Sequence, residues 1–320
     1  MQFHAAYSSC LRGLPCSPDD LLREDDAVKV HLVDGTYELF RQHYGNASRH
    51  ASPPPGAAVV GVISSTLALL ASGATHLGVA TDHVVESFRN QLYDGYKTGD
   101  GLDEEILVQF PLLEEAMAAL GVTLWPMIEF EADDALGSAA AVAEADPRVE
   151  QVVILTADKD LGQCVSGTRV VQLDRRKNEV IDEQGVVAKF GVIPGSIPDY
   201  LALVGDSSDG FPGLPGWGAK SAAAVLARYG TLEAIPPDPA DWDISGGVRG
   251  SAKLAATLRD RFEDALLFRR LATIVTEVPV GVVDDWRWGG PTQQFPAVVA
   301  RLGAPELAER AAGLASRRLR

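Results

Sequence analysis

Basic charge is what this 320-residue chain has too little of: 28 lysines and arginines face 44 aspartates and glutamates, a formal net charge of −16. Such a field repels polyanions unless cations cluster locally or metal ions intervene, so composition alone argues against a nucleic-acid partner. Cysteine is scarce too. Cys10, Cys16 and Cys164 are odd in number and form no Cys-x-x-Cys pair, which points to neither a disulfide framework nor a structural zinc site and fits a reducing cytoplasm. The N-terminus lacks a basic start followed by an apolar core, so no secretory signal is expected. Long unbroken apolar runs are missing as well. The longest, 57–74, carries Ser64, Ser65, Thr66 and Ser72 and reads as a buried helix, with no membrane partner.

What is present is 46% hydrophobic residues, enough for one large or two moderate cores. After an irregular tail at 1–27, the run Val28-Lys29-Val30-His31-Leu32-Val33 ends in Asp34-Gly35, the pattern of a buried strand stopping at a turn. Further strands are predicted at Thr75–Thr81, Val122–Trp125, Gln151–Thr156 and Arg169–Leu173, with helical spacing at Ala57–Ser72, Glu104–Leu120 and Asp133–Ala145. This alternation predicts an α/β domain over 28–190, a mainly parallel sheet flanked by helices. Beyond about residue 190, Pro194, Pro198, Pro212 and Pro215 punctuate helical pieces and glycines crowd 205–218, so a second, helical domain is assigned to 191–320.

Acidic residues stand where the strands stop. Asp34, Asp82, Asp158 and Asp160 each follow an apolar run, and Glu131, Asp133 and Asp134 open a helical pattern. In an open parallel sheet such positions face one crevice beyond the carboxyl ends of the strands. One Asp at a strand end is ordinarily a turn former or cap. Seven acids at one edge repel each other and raise each other's pKa unless cations sit among them. Oxygen donors without a His or Cys cluster favour Mg²⁺, with Mn²⁺ able to substitute, over zinc. Two such ions roughly 4 Å apart serve in-line attack of water on a phosphodiester.

The stretch Gly205-Asp206-Ser207-Ser208-Asp209-Gly210 leads into Gly216-Trp217-Gly218-Ala219-Lys220-Ser221. A tight Gly-x-Gly turn exposes backbone amides to phosphate oxygens, and Lys220 and Ser221 add a charge and a hydroxyl at the start of a helix. The region at about 196–230 is a helix-hairpin-helix signature for sequence-independent backbone contact. A purely structural turn gives the same pattern when it stands alone.

Taken together, Leu32-Val33-Asp34-Gly35 with Arg41, Ser87-Phe88-Arg89 with Tyr96-Lys97, Glu131-Ala132-Asp133-Asp134, Ile154-Leu155-Thr156-Ala157-Asp158-Lys159-Asp160-Leu161 and Gly205-Asp206-Ser207-Ser208-Asp209 resemble the bacterial and phage 5′-nucleases. That family includes the N-terminal nuclease domain of DNA polymerase I and is related to flap endonucleases. The likeness runs from about 28 to 235.

It implies a PIN-like sheet domain, a helical arch at about 83–110 and a C-terminal helix-hairpin-helix (H3TH) domain; too few residues follow the hairpin domain for a polymerase, so a stand-alone form is expected. It implies two Mg²⁺ ions held by Asp34, Asp82, Glu131, Asp133, Asp134, Asp158, Asp160, Asp206 and Asp209, and admits K⁺ at the hairpin. Catalytic work falls to Asp34, Asp158 and Asp160 with Arg89 and Lys97, which the family pattern places in the arch to grip the scissile phosphate. DNA contacts fall to Arg89, Tyr93, Tyr96, Lys97, Gly216, Gly218, Lys220 and Ser221. The implied activity is structure-selective 5′-3′ exonuclease and flap endonuclease action in replication and repair. Its partners would be DNA with a free 5′ end, flap or junction, an RNA primer, and a separate polymerase.

Relatives commonly carry another basic residue soon after the Tyr-Lys pair. Here Thr98-Gly99-Asp100-Gly101-Leu102-Asp103-Glu104-Glu105 is acidic instead, which predicts a weaker grip on a flap strand. Two alternatives stay open: a DNA-junction binding protein with weak or lost catalysis, against which every acidic position is filled, and a PIN-type ribonuclease, which leaves Asp206, Asp209 and the hairpin unexplained. Basic groups at Lys220, Arg228, Lys189, Arg175–Lys177 and the C-terminal arginines are few, so DNA affinity is expected to be modest and to fall steeply with salt.

Overall fold

In a computed structural model describing residues 28–47 and 54–318, strand β1 (Val28–Asp34) lies inside a six-stranded sheet of order β3-β2-β1-β4-β5-β6. Its companions are β2 (His76–Asp82), β3 (Thr123–Met127), β4 (Val149–Leu155), β5 (Val170–Asp174) and β6 (Glu179–Ile181). The first five run parallel, and β6 returns antiparallel to β5. Val33 pairs with Val79 on one side and Leu155 on the other, so the carboxyl ends of β2, β1 and β4 finish side by side. Pro126 sits in β3, an edge strand, where a missing N–H breaks no ladder. The tail at 1–27, with Cys10 and Cys16, falls outside the described residues.

Strand positions predicted from the sequence agree with these to within two residues, but β6 and helix α1 (Gly35–Ala47) were not foreseen. The β5–β6 turn forms because Asp174 Oδ1 accepts from the amides of Arg176 and Lys177 while Asn178 takes φ 54°. Helix α1 starts at Gly35, where any Cβ would lie 2.7 Å from the Ala80 carbonyl oxygen. Only glycine lets β1 turn into a helix so close to β2.

Helix α2 (Ala57–Ala71) packs against α1, burying Val59, Ile63 and Leu67. The single helix expected over 104–120 is broken into α3 (Glu104–Leu107) and α4 (Gln109–Leu120). Pro111 has no N–H to donate and its ring opposes the carbonyl four residues back, so the helix cannot run through. Helix α5 (Ala132–Ala145) covers the opposite face of the sheet with Leu136, Ala139 and Ala143. No single helix among the described residues is long and apolar enough to cross a membrane.

The helical domain follows as α6 (Glu183–Phe190), α7 (Ile197–Val204), α8 (Ala219–Tyr229), α9 (Ser251–Asp260) and α10 (Phe262–Ala272) around Leu201, Leu203, Trp217, Val225 and Phe268. The chain does not end there. From Ile274 onward it returns to the sheet domain, which corrects the assignment of all of 191–320 to the helical one. Val278, Val280 and Val283 join the α5 side of the core, and Trp286 meets Trp125 edge to face at 5.6 Å. Helices α11 (Phe295–Arg301) and α12 (Glu306–Arg318) pack on α2 and α4 through Phe295, Val299 and Leu314. The cause is hydrophobic: a tryptophan-rich strap covers apolar surface that β3 and α4 leave open.

Candidate metal centre and nucleic-acid interface

The acids at the strand ends do converge. Asp34 Oδ1 accepts from the Tyr37 amide at 2.8 Å, capping α1, while Oδ2 accepts from Thr156 Oγ1 at 2.9 Å. That hydroxyl in turn accepts from the Asp158 amide at 3.1 Å, so one buried threonine ties the end of β4 to the end of β1. Across β2, the Asp82 amide donates to Thr36 Oγ1 and Asp82 Oδ1 accepts from the Ala132 amide at 2.8 Å, at the start of α5. Asp158 Oδ1 accepts from the Asp160 amide at 3.0 Å. Threonines 36 and 156 had no expected role. Both lie beside a motif acid, one residue or two from a strand end, and that placement is the only signal the sequence offers.

Electrostatics records the crowding. Burial, with Asp82 and Asp158 nearby, pushes the Asp34 carboxyl up to about 7. Burial together with Asp158 and Asp34 raises Asp133 well above the usual range, and burial with Asp158, Asp209 and Asp206 does the same to Asp160. Glu131 goes the other way: burial opposes its charge, but Lys97 and Arg89 outweigh it and hold the carboxylate ionised.

The helical domain completes the cluster. Carboxylate oxygens of Asp160, Asp206 and Asp209 all lie within 4.8 Å of one another, and Asp160 Oδ1 is buried with no hydrogen-bond partner. Three hard oxygen donors so close, one of them orphaned, fit a divalent cation. Lys159 reaches Asp206 Oδ2 at 2.6 Å and neutralises part of this charge, a contribution the sequence reading missed although Lys159 stood inside the motif.

Between the domains lies the segment expected to be an arch. It holds one short 3-10 turn (Phe88–Gln91) and tight turns up to α3, and it is folded down onto both domains. Its glycines Gly95, Gly99 and Gly101 disfavour continuous helix, Phe88 packs on Phe130, and Tyr96 enters the helical core. A Cβ on Gly210, at φ 87°, would sit 2.1 Å from the Gly95 carbonyl oxygen, so glycine is what lets the acid loop approach this segment.

Side chains in the segment fare differently from expectation. Lys97 bridges Glu131 Oε2 at 2.8 Å and Asp209 Oδ1 at 3.1 Å, spanning the two domains' acids, and despite burial these carboxylates raise its pKa well above normal. Tyr96 is 3% exposed and donates to Glu131 Oε2, which withdraws it as a base-stacking surface. Tyr93 turns edge-on to Phe268. Arg89 is 3% exposed and paired with Asp134, so it does not face a substrate. Asp134 is fully buried, with both oxygens committed to Arg89 and to backbone amides, and has no lone oxygen for a metal. These placements count against Arg89, Tyr96 and Asp134 as direct ligands, whereas Tyr93 stays half-buried.

At the far end of the helical domain, Gly216 takes φ 87°, Trp217 is buried with its indole N–H on the Leu254 carbonyl, and Gly218 and Lys220 are exposed at the start of α8. Ser221 Oγ accepts from the Gly218 amide and donates to its carbonyl, closing the turn on itself.

Sheet, crevice and hairpin define a class: α/β proteins with an acid-lined site at a parallel sheet's carboxyl edge, completed by a helix-hairpin-helix domain. Comparison narrows it. Residues 29–191 match the 5′-3′ exonuclease N-terminal resolvase-like domain, and residues 192–294 match the 5′-3′ exonuclease C-terminal SAM fold. The chain belongs to the 5′-3′ exonuclease family.

It is 34% identical over 280 residues to DNA polymerase I of Pseudomonas aeruginosa, covering 82% of this chain and 29% of that protein. With DNA polymerase I of Mycobacterium leprae the figures are 32% over 262 residues, 79% and 28%. The chain thus spans under a third of the length of these relatives. In fold it is similar to T5 5′-exonuclease with zinc bound, at TM-score 0.63 and 17% identity over 89% of this chain and 98% of that one. The catalytic core of Rad2 in complex with DNA substrate gives TM-score 0.58 and 18% identity over 91% and 93%.

Proposed function

We propose that this chain hydrolyses DNA phosphodiester bonds at or near a free 5′ end, as a 5′-3′ exonuclease and flap endonuclease acting in replication and repair. The observation that carries the reading is the meeting of strand-end acids from one domain with Asp206 and Asp209 from the other around Lys97. One cation set would be held by Asp34, Asp82, Glu131 and Asp133, the other by Asp158, Asp160, Asp206 and Asp209, with Mg²⁺ as the expected ion and Mn²⁺ as a substitute. When bound, such ions polarise the phosphate and lower the pKa of water. Thr156 and Thr36 orient Asp34 and Asp82. Lys97, partly exposed between the two acid groups, is the side chain placed to contact the scissile phosphate.

Gly216, Gly218 and Lys220 would hold the duplex backbone without reading bases, and the hairpin is where K⁺ would sit. DNA ends and flaps are the proposed substrates, RNA primers a further one, and a separate polymerase the proposed partner. Scarce cysteines, odd in number and without a Cys-x-x-Cys pair, support a cytoplasmic setting. Cleavage of a labelled 5′-flap duplex tests this: Mg²⁺ should support cutting, EDTA should abolish it, and Asp158→Asn should lower kcat by about 10³-fold, the several kcal/mol a metal contributes. Undiminished cutting by that variant would refute the site.

A further inference from the structure

Arg89 makes more hydrogen bonds than a phosphate grip could spare. Nη1 donates to Asp134 Oδ2 at 2.7 Å and Nη2 to Asp134 Oδ1 at 2.8 Å, a two-pronged pair. Nε donates to the Leu271 carbonyl at 2.8 Å and Nη2 to the Thr273 carbonyl at 2.9 Å, at the end of α10, while Nη1 lies 3.3 Å from Glu131 Oε1. Asp134 is equally committed: Oδ1 also accepts from the Val275 amide at 2.8 Å and Oδ2 from the Glu131 amide at 3.0 Å. To touch DNA, the guanidinium would have to leave all of these and strand a buried carboxylate without its partner.

We infer that Arg89 and Asp134 are positioning residues, a clip that joins three parts of the proposed nuclease site at one point; the inference rests on the nuclease reading above. The first part is the segment carrying Lys97, held because Arg89 is fixed within it and Asn90 Nδ2 donates to the Lys97 carbonyl at 2.9 Å. The second is the start of α5, where Asp134 ties down the Glu131 amide next to Asp133. The third is the helical domain, whose α10 ends in carbonyls with no intrahelical partner that Arg89 satisfies. The clip therefore sets the spacing between the acids of the sheet domain and those of the helical domain. Lysine cannot replace arginine here, because a single ammonium cannot match the planar fork on the carboxylate and also reach both carbonyls.

The test uses the full chain with Arg89→Gln, Asp134→Asn and the double variant, each checked for folding by circular dichroism. Three readouts are taken: kcat and KM on a 5′-flap duplex, flap affinity in Ca²⁺, and Mn²⁺ affinity by calorimetry. Each single variant should lower Mn²⁺ affinity and kcat by about 10 to 100-fold, as loss of a group that orients metal ligands does, with flap affinity little changed. The double variant should be no worse than the worse single one, since the two side chains act as a unit. Weakened flap binding in Arg89→Gln alone, with Mn²⁺ affinity intact, would overturn the clip and restore a phosphate contact. Additive losses, or no loss of Mn²⁺ affinity in either variant, would also overturn it. Should Arg89→Gln fail to fold, Arg89→Lys carries the same comparison. A wild-type chain that binds Mn²⁺ but cuts no flap would refute the nuclease reading instead, leaving the clip to be judged on Mn²⁺ affinity.

Discussion

Arg89 and Lys97 lie on one loop and touch one carboxylate, Glu131, yet they do different things. Arg89 is sealed, 3% exposed, its donors spent on Asp134 and two backbone carbonyls. Lys97 keeps 30% of its side chain in solvent and bridges acids that belong to different domains. A guanidinium suits a fixed, planar set of acceptors, whereas an ammonium on a flexible stem can exchange one oxygen for another. Two cations in one motif thus divide into a fastener and a movable contact, and the division follows from burial rather than from charge.

Arg89→Ala probes the fastener. It leaves Asp134 buried and without its partner, so stability should fall by about 3 to 5 kcal/mol in denaturant melts. A loss below about 1 kcal/mol, the range of a surface pair, would erase the distinction between the two cations. Lys97→Ala should do the reverse, lowering kcat by about 10²-fold with a smaller loss of stability than Arg89→Ala, because its proposed contribution is made on substrate. A Lys97→Ala chain that unfolds but cleaves normally when folded would break the comparison from the other side.

The acids repeat the contrast in their titration. Glu131, beside both cations, is held ionised, whereas Asp34 has no cation against it among the described residues and is pushed up to about 7 by burial and by Asp82 and Asp158. A carboxyl whose folded pKa exceeds its unfolded value, ~3.9 for Asp, contributes stability that is full below the unfolded value and is lost as pH rises through the folded one. In EDTA, therefore, stability should decline as pH climbs from about 4 toward 7, and Asp34→Asn should flatten that decline. A slope of opposite sign would mean that the acids are not crowded as described.

Much of this architecture was legible because strand ends are a strong signal. Apolar runs terminated by Asp34, Asp82 and Asp158 set both the parallel sheet and the crevice, and the Gly-rich hairpin marked the second domain. What escaped the sequence was partnership at a distance. Nothing local tells that Asp134 is spent on Arg89, forty-five positions back, or that Tyr96 belongs to the helical core. The resemblance implies an arch of helices, but glycine and acid leave the segment before α3 with one short 3-10 turn. The returning strap was missed because Trp286 and Trp288 show no periodicity, and their reason for being there is the surface of β3 and the end of α4. Helix α1 was missed since Gly35 reads as a turn until the proximity of Ala80 is known.

Underlying every functional statement is the capacity of the converged acids to take up divalent cations. Calorimetric titration of the EDTA-stripped chain with Mn²⁺, beside Asp160→Asn, measures it directly. The wild-type chain should bind two ions, and the variant, which loses the Asp160 charge and one of its two oxygens beside Asp206 and Asp209, should lose one of them. Absence of binding by the wild-type chain, or identical stoichiometry and affinity in the variant, would contradict the account.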